Sequence, residues 1–153
     1  MFRGILRGGK VYSQTRAEAK RRKDEEFGDI LFSIYWGHID DYEKTESWLK
    51  KGNDPNRSLT GYGTFFDAIL NREKGFANSI ELIKLLLKYK ADPHMNNIWM
   101  DDKEVSAYDM CLRILLDLKT DKRLSKKENK KYRIHFNIIT LFLYANPKLI
   151  PLF

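Results

Sequence analysis

Apolar residues return along most of this chain at helical rather than strand spacing. In the stretch Ile80 to Tyr89, Ile80, Ile83, Leu86 and Leu87 share one helical face. Leu82, Leu85 and Tyr89 widen that face until the helix is expected to be buried on most sides. No run alternates apolar and polar residues over a strand's length, so the pattern predicts an all-α fold. Start signals recur at Asp40-x-x-Glu43, Thr64-x-x-Asp67, Asn78-x-x-Glu81, Ser106-x-x-Asp109 and Ser125-x-x-Glu128. Each places a capping oxygen ahead of an acid at the third helical position, where the helix dipole favours negative charge. Gly52 follows Leu49-Lys50-Lys51, Pro55 and Pro93 mark turns, and Pro147 closes the last apolar helix.

Residues 1–26 read differently. Arg3, Arg7, Lys10, Arg16, Lys20, Arg21, Arg22 and Lys23 alternate with few apolar side chains, and Gly4, Gly8 and Gly9 loosen the beginning, which is expected to be mobile. Thr15 with Glu18 spells a capping box, predicting a helix from there to about Phe27 that caps the rest. The division is therefore a basic N-terminal segment at 1–26 and a helical domain at 27–153.

The 153 residues and 42% hydrophobic content suffice for one domain with its own core. The lone Cys111 excludes an internal disulfide and favours a reducing, intracellular compartment. No apolar run approaches the length of a membrane span, and Ile5-Leu6 is too short for a secretory leader. A soluble domain with no membrane span is expected, with a monomer favoured.

Two segments resemble each other: Trp48-Leu-Lys-Lys-Gly-Asn-Asp-Pro-Asn56 and Leu86-Leu-Lys-Tyr-Lys-Ala-Asp-Pro-His94. A weaker copy, Leu143-Tyr-Ala-Asn-Pro147, ends the chain. Thr64-Phe-Phe-Asp-Ala-Ile-Leu70 likewise matches Ser106-Ala-Tyr-Asp-Met-Cys-Leu112. The Asp-Pro pairs lie 38 positions apart and the capping residues 42 apart, a period typical of stacked helix pairs. These residues resemble the ankyrin-repeat family in about three degenerate units. Gly37-His38, with Ser33, resembles the middle of a first unit that ends at Gly52-Asn53-Asp54-Pro55-Asn56. Thr64-Phe65-Phe66-Asp67 opens a second that ends at Ala91-Asp92-Pro93-His94, and Ser106-Ala107-Tyr108-Asp109 opens a third. Phe65 and Ala107 stand where the family has Pro, and Asp67 and Asp109 where it has His. The period exceeds the family's ~33 residues, which places insertions before Trp48, at 72–78 and at 117–133. The resemblance implies a helical repeat stack that binds another protein through its concave face and projecting turns. Small proteins of this type are often used by viruses or intracellular bacteria to engage host proteins.

Motifs for chemistry are sparse. Gly4-Ile-Leu-Arg-Gly-Gly9-Lys10-Val11 approaches a phosphate-binding loop, but it lacks a preceding strand, and Val11 offers no hydroxyl for Mg²⁺. His38, His94 and His135 form no metal-spaced pair with one another or with Cys111. Cys111, between Met110 and Leu112, reads as core filler whose burial would raise its pKa. Asp67 and Asp109 read as helix-start acids, and Asp40-Asp41 and Asp101-Asp102 lack convergent partners. Neither catalysis nor a cofactor is expected.

Binding is the remaining chemistry. The turns Asn56 to Gly63 and Met95 to Val105 would project, and the second carries Ile98-Trp99-Met100 before a charged run. Tyr62, Met95, Trp99, Met100, Asp101 and Asp102 therefore form the predicted partner surface, large apolar anchors with a polar rim. Tyr35 and Trp36 read as core. The alternative partner is nucleic acid, held by Arg21, Arg22 and Lys23 together with Lys122, Arg123, Lys126, Lys127, Lys130 and Lys131. These clusters account for the net charge of +7. Only Tyr132 is placed to stack on a base there, and the plainer reading of such a run is a solvated face.

Overall fold

In the computed structural model the stripe Phe27, Ile30, Leu31 and Ile34 prolongs the N-terminal basic helix instead of starting a new one. The structure describes residues 8–72, 76–120 and 125–145. Within them helix α1 (Gly8–Tyr35) is continuous, followed by α2 (Asp41–Lys50), α3 (Phe65–Leu70), a 3₁₀ turn (Phe76–Asn78) and α4 (Ser79–Lys88). A hairpin of β1 (Ile98–Met100) and β2 (Lys103–Val105) precedes α5 (Ala107–Thr120) and α6 (Lys126–Tyr144). The protein is mostly helical. The expected helix limits, Thr15 to about Phe27, are corrected: Thr15 lies inside α1, which runs on through Gly28 to Tyr35. Four apolar side chains at i, i+3, i+4 and i+7, all buried, outweigh one glycine's modest helix penalty. Residues 1–7, expected to be mobile, lie outside the described residues, as do Asn146 and Pro147 of the weak third copy.

Three of the five proposed caps form as expected. Thr64 Oγ1 accepts the Asp67 N–H at 3.2 Å, Ser106 Oγ the Asp109 N–H at 3.1 Å, and Ser125 Oγ the Glu128 N–H at 3.2 Å. The other two helices start where predicted, without a side-chain cap. Asp40 instead pairs with Lys44 one turn on at 3.4 Å, and Asn78 is recruited by a buried arginine. Helix α1 ends in a Schellman turn: Gly37, at φ 64°, donates to Ile34 O, and His38 donates to Ser33 O at 2.9 Å. At the end of α4 the same pair of bonds runs from Lys90 to Leu87 O and from Ala91 to Leu86 O, but Lys90 holds the left-handed position at φ 71°.

Close packing joins α1 to α2, α3 to α4 and α5 to α6. It also joins α1 to α3, α3 to α5, α2 to α4 and α4 to α6. At the first junction Phe27 stacks on Trp48 with centroids 5.4 Å apart and meets the edge of Phe65 at 5.0 Å. Arg57 lies over Phe27 and Trp48, and its guanidinium pairs with Asp24 of α1. Phe66 of α3 meets Phe142 of α6 edge-on at 5.1 Å. A polar clamp crosses the middle. Arg72 donates to Asp41 Oδ2 at 2.6 Å, to Asn78 Oδ1 at 2.8 Å and to Ser79 Oγ at 3.2 Å. Asn78 completes the ring by donating to Asp41 Oδ1 at 2.6 Å. Asp41 and Arg72 are both fully buried, so the partner missing from the sequence reading of Asp41 is supplied from 31 residues away.

The basic stretch expected as an insertion at 117–133 is built largely from the last turn of α5 and the first turns of α6. Among the described residues no helix is long and apolar enough to cross a membrane.

Candidate functional site

The turn expected at Met95 to Val105 is a β-hairpin, which corrects the expectation of an all-α fold without strands. Its register pairs Ile98 with Val105, Trp99 with Glu104 and Met100 with Lys103, leaving Asp101-Asp102 as a two-residue loop. Both aspartates hold positive φ, 51° and 61°, as the favoured two-residue hairpin turn demands. Alternation then sorts the strand's faces. Ile98 and Val105 are buried, and Met100 packs partly on the core beside them. Trp99 points the other way and is 69% exposed, with Glu104 directly opposite it on the neighbouring strand.

A smaller turn stands beside this hairpin. Leu59 and Gly63 exchange both backbone hydrogen bonds, at 3.0 and 2.9 Å, and carry Tyr62 outward at 64% exposure. Gly63 sits at φ +83°, and a Cβ there would collide with the carboxylate of Asp67. The two turns are tied at their bases. Asn56 Oδ1 accepts the Asp92 N–H at 2.6 Å, and Asn97 Nδ2 donates to Asn56 O at 3.1 Å.

Between the turns lies an open groove of about 580 Å³, lined by Leu59, Tyr62, Asp67, Asn97, Trp99 and Glu104 among others. The structure thus brings together Tyr62 and Trp99, two of the six residues singled out from sequence. Met95 is exposed elsewhere on the same connection, and Met100 turns its side chain partly inward. Asp101 pairs with Arg113 of α5, and Asp102 is exposed at the tip.

The groove continues past Tyr62 onto a second one of about 340 Å³ between α1 and α3, lined by Phe32, Tyr35, Asp67, Ala68 and Asn71. Here the expectation that Tyr35 and Trp36 are core is corrected. Trp36 is 41% exposed and Tyr35 half-buried, with Phe32 at 56% beside them. Phe32 and Trp36 fall outside the core because Phe27, Ile30, Leu31 and Ile34 fill the core face of α1.

Asp67 is the common wall of both grooves. Burial pushes its carboxyl above the ordinary range, opposed by one hydrogen bond from Asn71 Nδ2 to Oδ1 at 2.8 Å. Its backbone N–H makes the expected cap bond, while the side chain faces the groove.

His135, Cys111 and His94 each make internal hydrogen bonds. His135 is buried with Nδ1 facing Lys131 O and Nε2 facing Leu70 O, each at 2.9 Å. Cys111 is buried beside it, its Sγ donating to His135 O at 3.4 Å, and burial pushes the thiol up to about 12. His94 joins the second Asp-Pro turn to Phe142 O of α6 at 2.9 Å.

The alternative basic surface divides between two ends of the helix order. Arg21 and Arg22 pair along α1 with Glu25 and Glu18, and Lys23 is exposed there. Lys126, Lys127 and Lys130 are exposed on α6, and Lys131 is half-buried. Lys122 and Arg123 lie outside the described residues. No family model, no curated protein and no solved structure matches this chain.

Proposed function

We propose that this chain is a protein–protein interaction module without catalytic chemistry of its own, built as a short helical repeat stack of ankyrin type. Three features support the repeat reading. Helix pairs pack in series, first helices on first helices and second on second. Thr64 and Ser106 make the same cap bond at matching places. Asp54 and Asp92 each accept the N–H two residues on, at 2.8 and 2.9 Å, and their turns are neighbours.

The observation that carries the binding reading is the placement of Tyr62 and Trp99, both more than half exposed, on two adjacent turns that flank one groove. Exposed aromatic anchors in a concavity are the residues from which interfaces draw most of their affinity. Leaving them in water costs free energy that only an occupant recovers.

The test replaces Tyr62 or Trp99 by a photo-crosslinking phenylalanine analogue and compares it with the same group at Phe136, which is exposed on α6. A partner cross-linked at the turns but not at Phe136, and lost in Tyr62→Ala/Trp99→Ala, is the expected result. That double variant should melt close to the parent, because neither ring is core. Partner binding that survives the double variant but fails in Lys126→Glu/Lys130→Glu would transfer the function to the basic helix ends.

A further inference from the structure

We infer that the groove between the two turns accepts a basic peptide segment of the partner protein, seating an arginine or lysine side chain against Tyr62 and Trp99 beside Asp67 and Glu104. This rests on the interaction reading above and names the chemistry of what that site takes.

The argument is one of charge complementarity. The chain carries a net charge of +7, yet the charged side chains lining this groove are two carboxylates, Asp67 and Glu104. Its continuation between α1 and α3 adds no cation. In the neighbouring depression at Arg21, Asp24, Glu25, Gly28 and Asp29, the arginine is already paired with Glu25 and Asp24 is paired with Arg57, leaving Asp29 over. Carboxylates without cations in a groove of a cationic protein repel acidic partners locally and attract basic ones.

Geometry adds a second, independent argument. Strand register places Glu104 directly across from Trp99, so a carboxylate and an indole face share one side of the hairpin. The cation on that hairpin, Lys103, pairs with Met100 and so falls on the opposite face. An aromatic face beside a carboxylate is the pairing that holds a guanidinium or ammonium, through the ring's quadrupole and a charge-assisted hydrogen bond together. Asp67 is partly desolvated without a neutralising cation, and a bound one would supply the charge that burial has denied it.

Trp36→Phe leaves Trp99 as the exposed indole beside the buried Trp48, so the fluorescence of the full chain in that background reports on the groove. The probes are two capped peptides, Ala-Arg-Leu-Arg-Ala and Ala-Glu-Leu-Glu-Ala. The arginine peptide should shift Trp99 emission saturably, the glutamate peptide should not, and affinity should fall with rising ionic strength. Glu104→Lys should weaken binding about tenfold or more, and Glu104→Gln by less, while Lys126→Glu should leave it unchanged. Equal response to both peptides, or to neither, overturns the inference. So does a salt-sensitive dimer in sedimentation that Glu104→Lys dissolves, because the occupant is then a second copy of this chain. If cross-linking at position 99 captures a partner while the arginine peptide fails, the interaction reading stands and the basic ligand falls. If both fail, both readings fall.

Discussion

The backbone N–H of Asp92 donates to the side-chain carbonyl of Asn56 at 2.6 Å, so one Asp-Pro turn is hydrogen-bonded to the other. Asn97 returns a bond to Asn56 O, and the pair thereby sets the spacing of the two projecting turns that carry Tyr62 and Trp99. Asn56→Ala removes the acceptor and should cost about 1 kcal/mol, or about 2–4 °C in melting temperature for a domain of this size. Asn56→Asp keeps an acceptor and should lose less. Equal losses in the two variants would show that the bond contributes nothing.

The Asp41–Arg72 pair is fully buried and spans α2, the end of α3 and the start of α4. Burial draws the Arg72 pKa down while Asp41 holds it up, a balance that exists only with both partners present. Arg72→Met strands a buried carboxylate and should cost about 3–5 kcal/mol in urea denaturation. Asp41→Leu combined with Arg72→Met should recover most of that, because two apolar side chains leave neither charge without a partner. A double variant as unstable as the single one would mean that shape, not charge, holds this junction.

Much of the helical architecture could be read from the chain, because caps and apolar spacing are local signals. Thr64, Ser106 and Ser125 were identifiable since the bonds they make reach only three residues on. Other features are decided by partners distant in sequence. Asn78 has the composition of a cap, yet the Arg72 guanidinium claims its side chain, and no local pattern announces that. Thr15 has the pattern of a cap, but α1 runs through it. The Ile98–Val105 hairpin is only three residues per strand, too short to display alternation. For the groove, the projecting aromatics were recognisable by composition. Asp67 was legible only as a helix-start acid, since its exposure to the groove depends on how closely Gly63 approaches it.

His135 predicts a pH dependence. Both ring nitrogens face carbonyl oxygens, which favours the charged ring, but burial and the nearby Lys131 charge outweigh those bonds and draw its pKa below the ordinary value. The unfolded chain, with a histidine pKa of about 6.5, then binds the proton more readily than the folded one. The stability linked to this ring is complete above about pH 6.5 and is lost as pH falls from there toward the folded value. Chemical denaturation between neutral and mildly acidic pH should show that slope. His135→Gln should flatten it relative to the parent. An unchanged slope would remove His135 as its source.

Lys90 occupies a left-handed position that glycine holds at the end of α1. A side chain there costs up to about 1–2 kcal/mol, offset in part by glycine's greater freedom in the unfolded chain. Lys90→Gly should therefore raise stability by about 0.5–1 kcal/mol. Gly37→Ala should lower it by a similar amount, for the same reason with the sign reversed. Thermal melts of the two variants check both, and a destabilised Lys90→Gly would point to a contact of the lysine stem outweighing its backbone strain.

Asp67 places stability and binding in opposition. Its folded pKa is raised, so the folded chain holds the proton more tightly than the unfolded one. The stability linked to this carboxyl is therefore complete below the ordinary carboxylate range and is lost as pH rises from there through the raised folded value, because ionising this side chain is harder in the groove than in water. Asp67→Asn removes that penalty and keeps a polar group beside Asn71. It should be at least as stable as the parent at neutral pH and should show no such advantage in acid. The same change should weaken the arginine peptide, because the charge that costs stability is the one a cationic ligand neutralises. Urea denaturation at both pH values, paired with the Trp99 fluorescence titration, reads the two effects in one variant. An Asp67→Asn protein that is less stable at neutral pH would place the carboxylate's main role at the helix start, where the dipole favours it, and not in the groove.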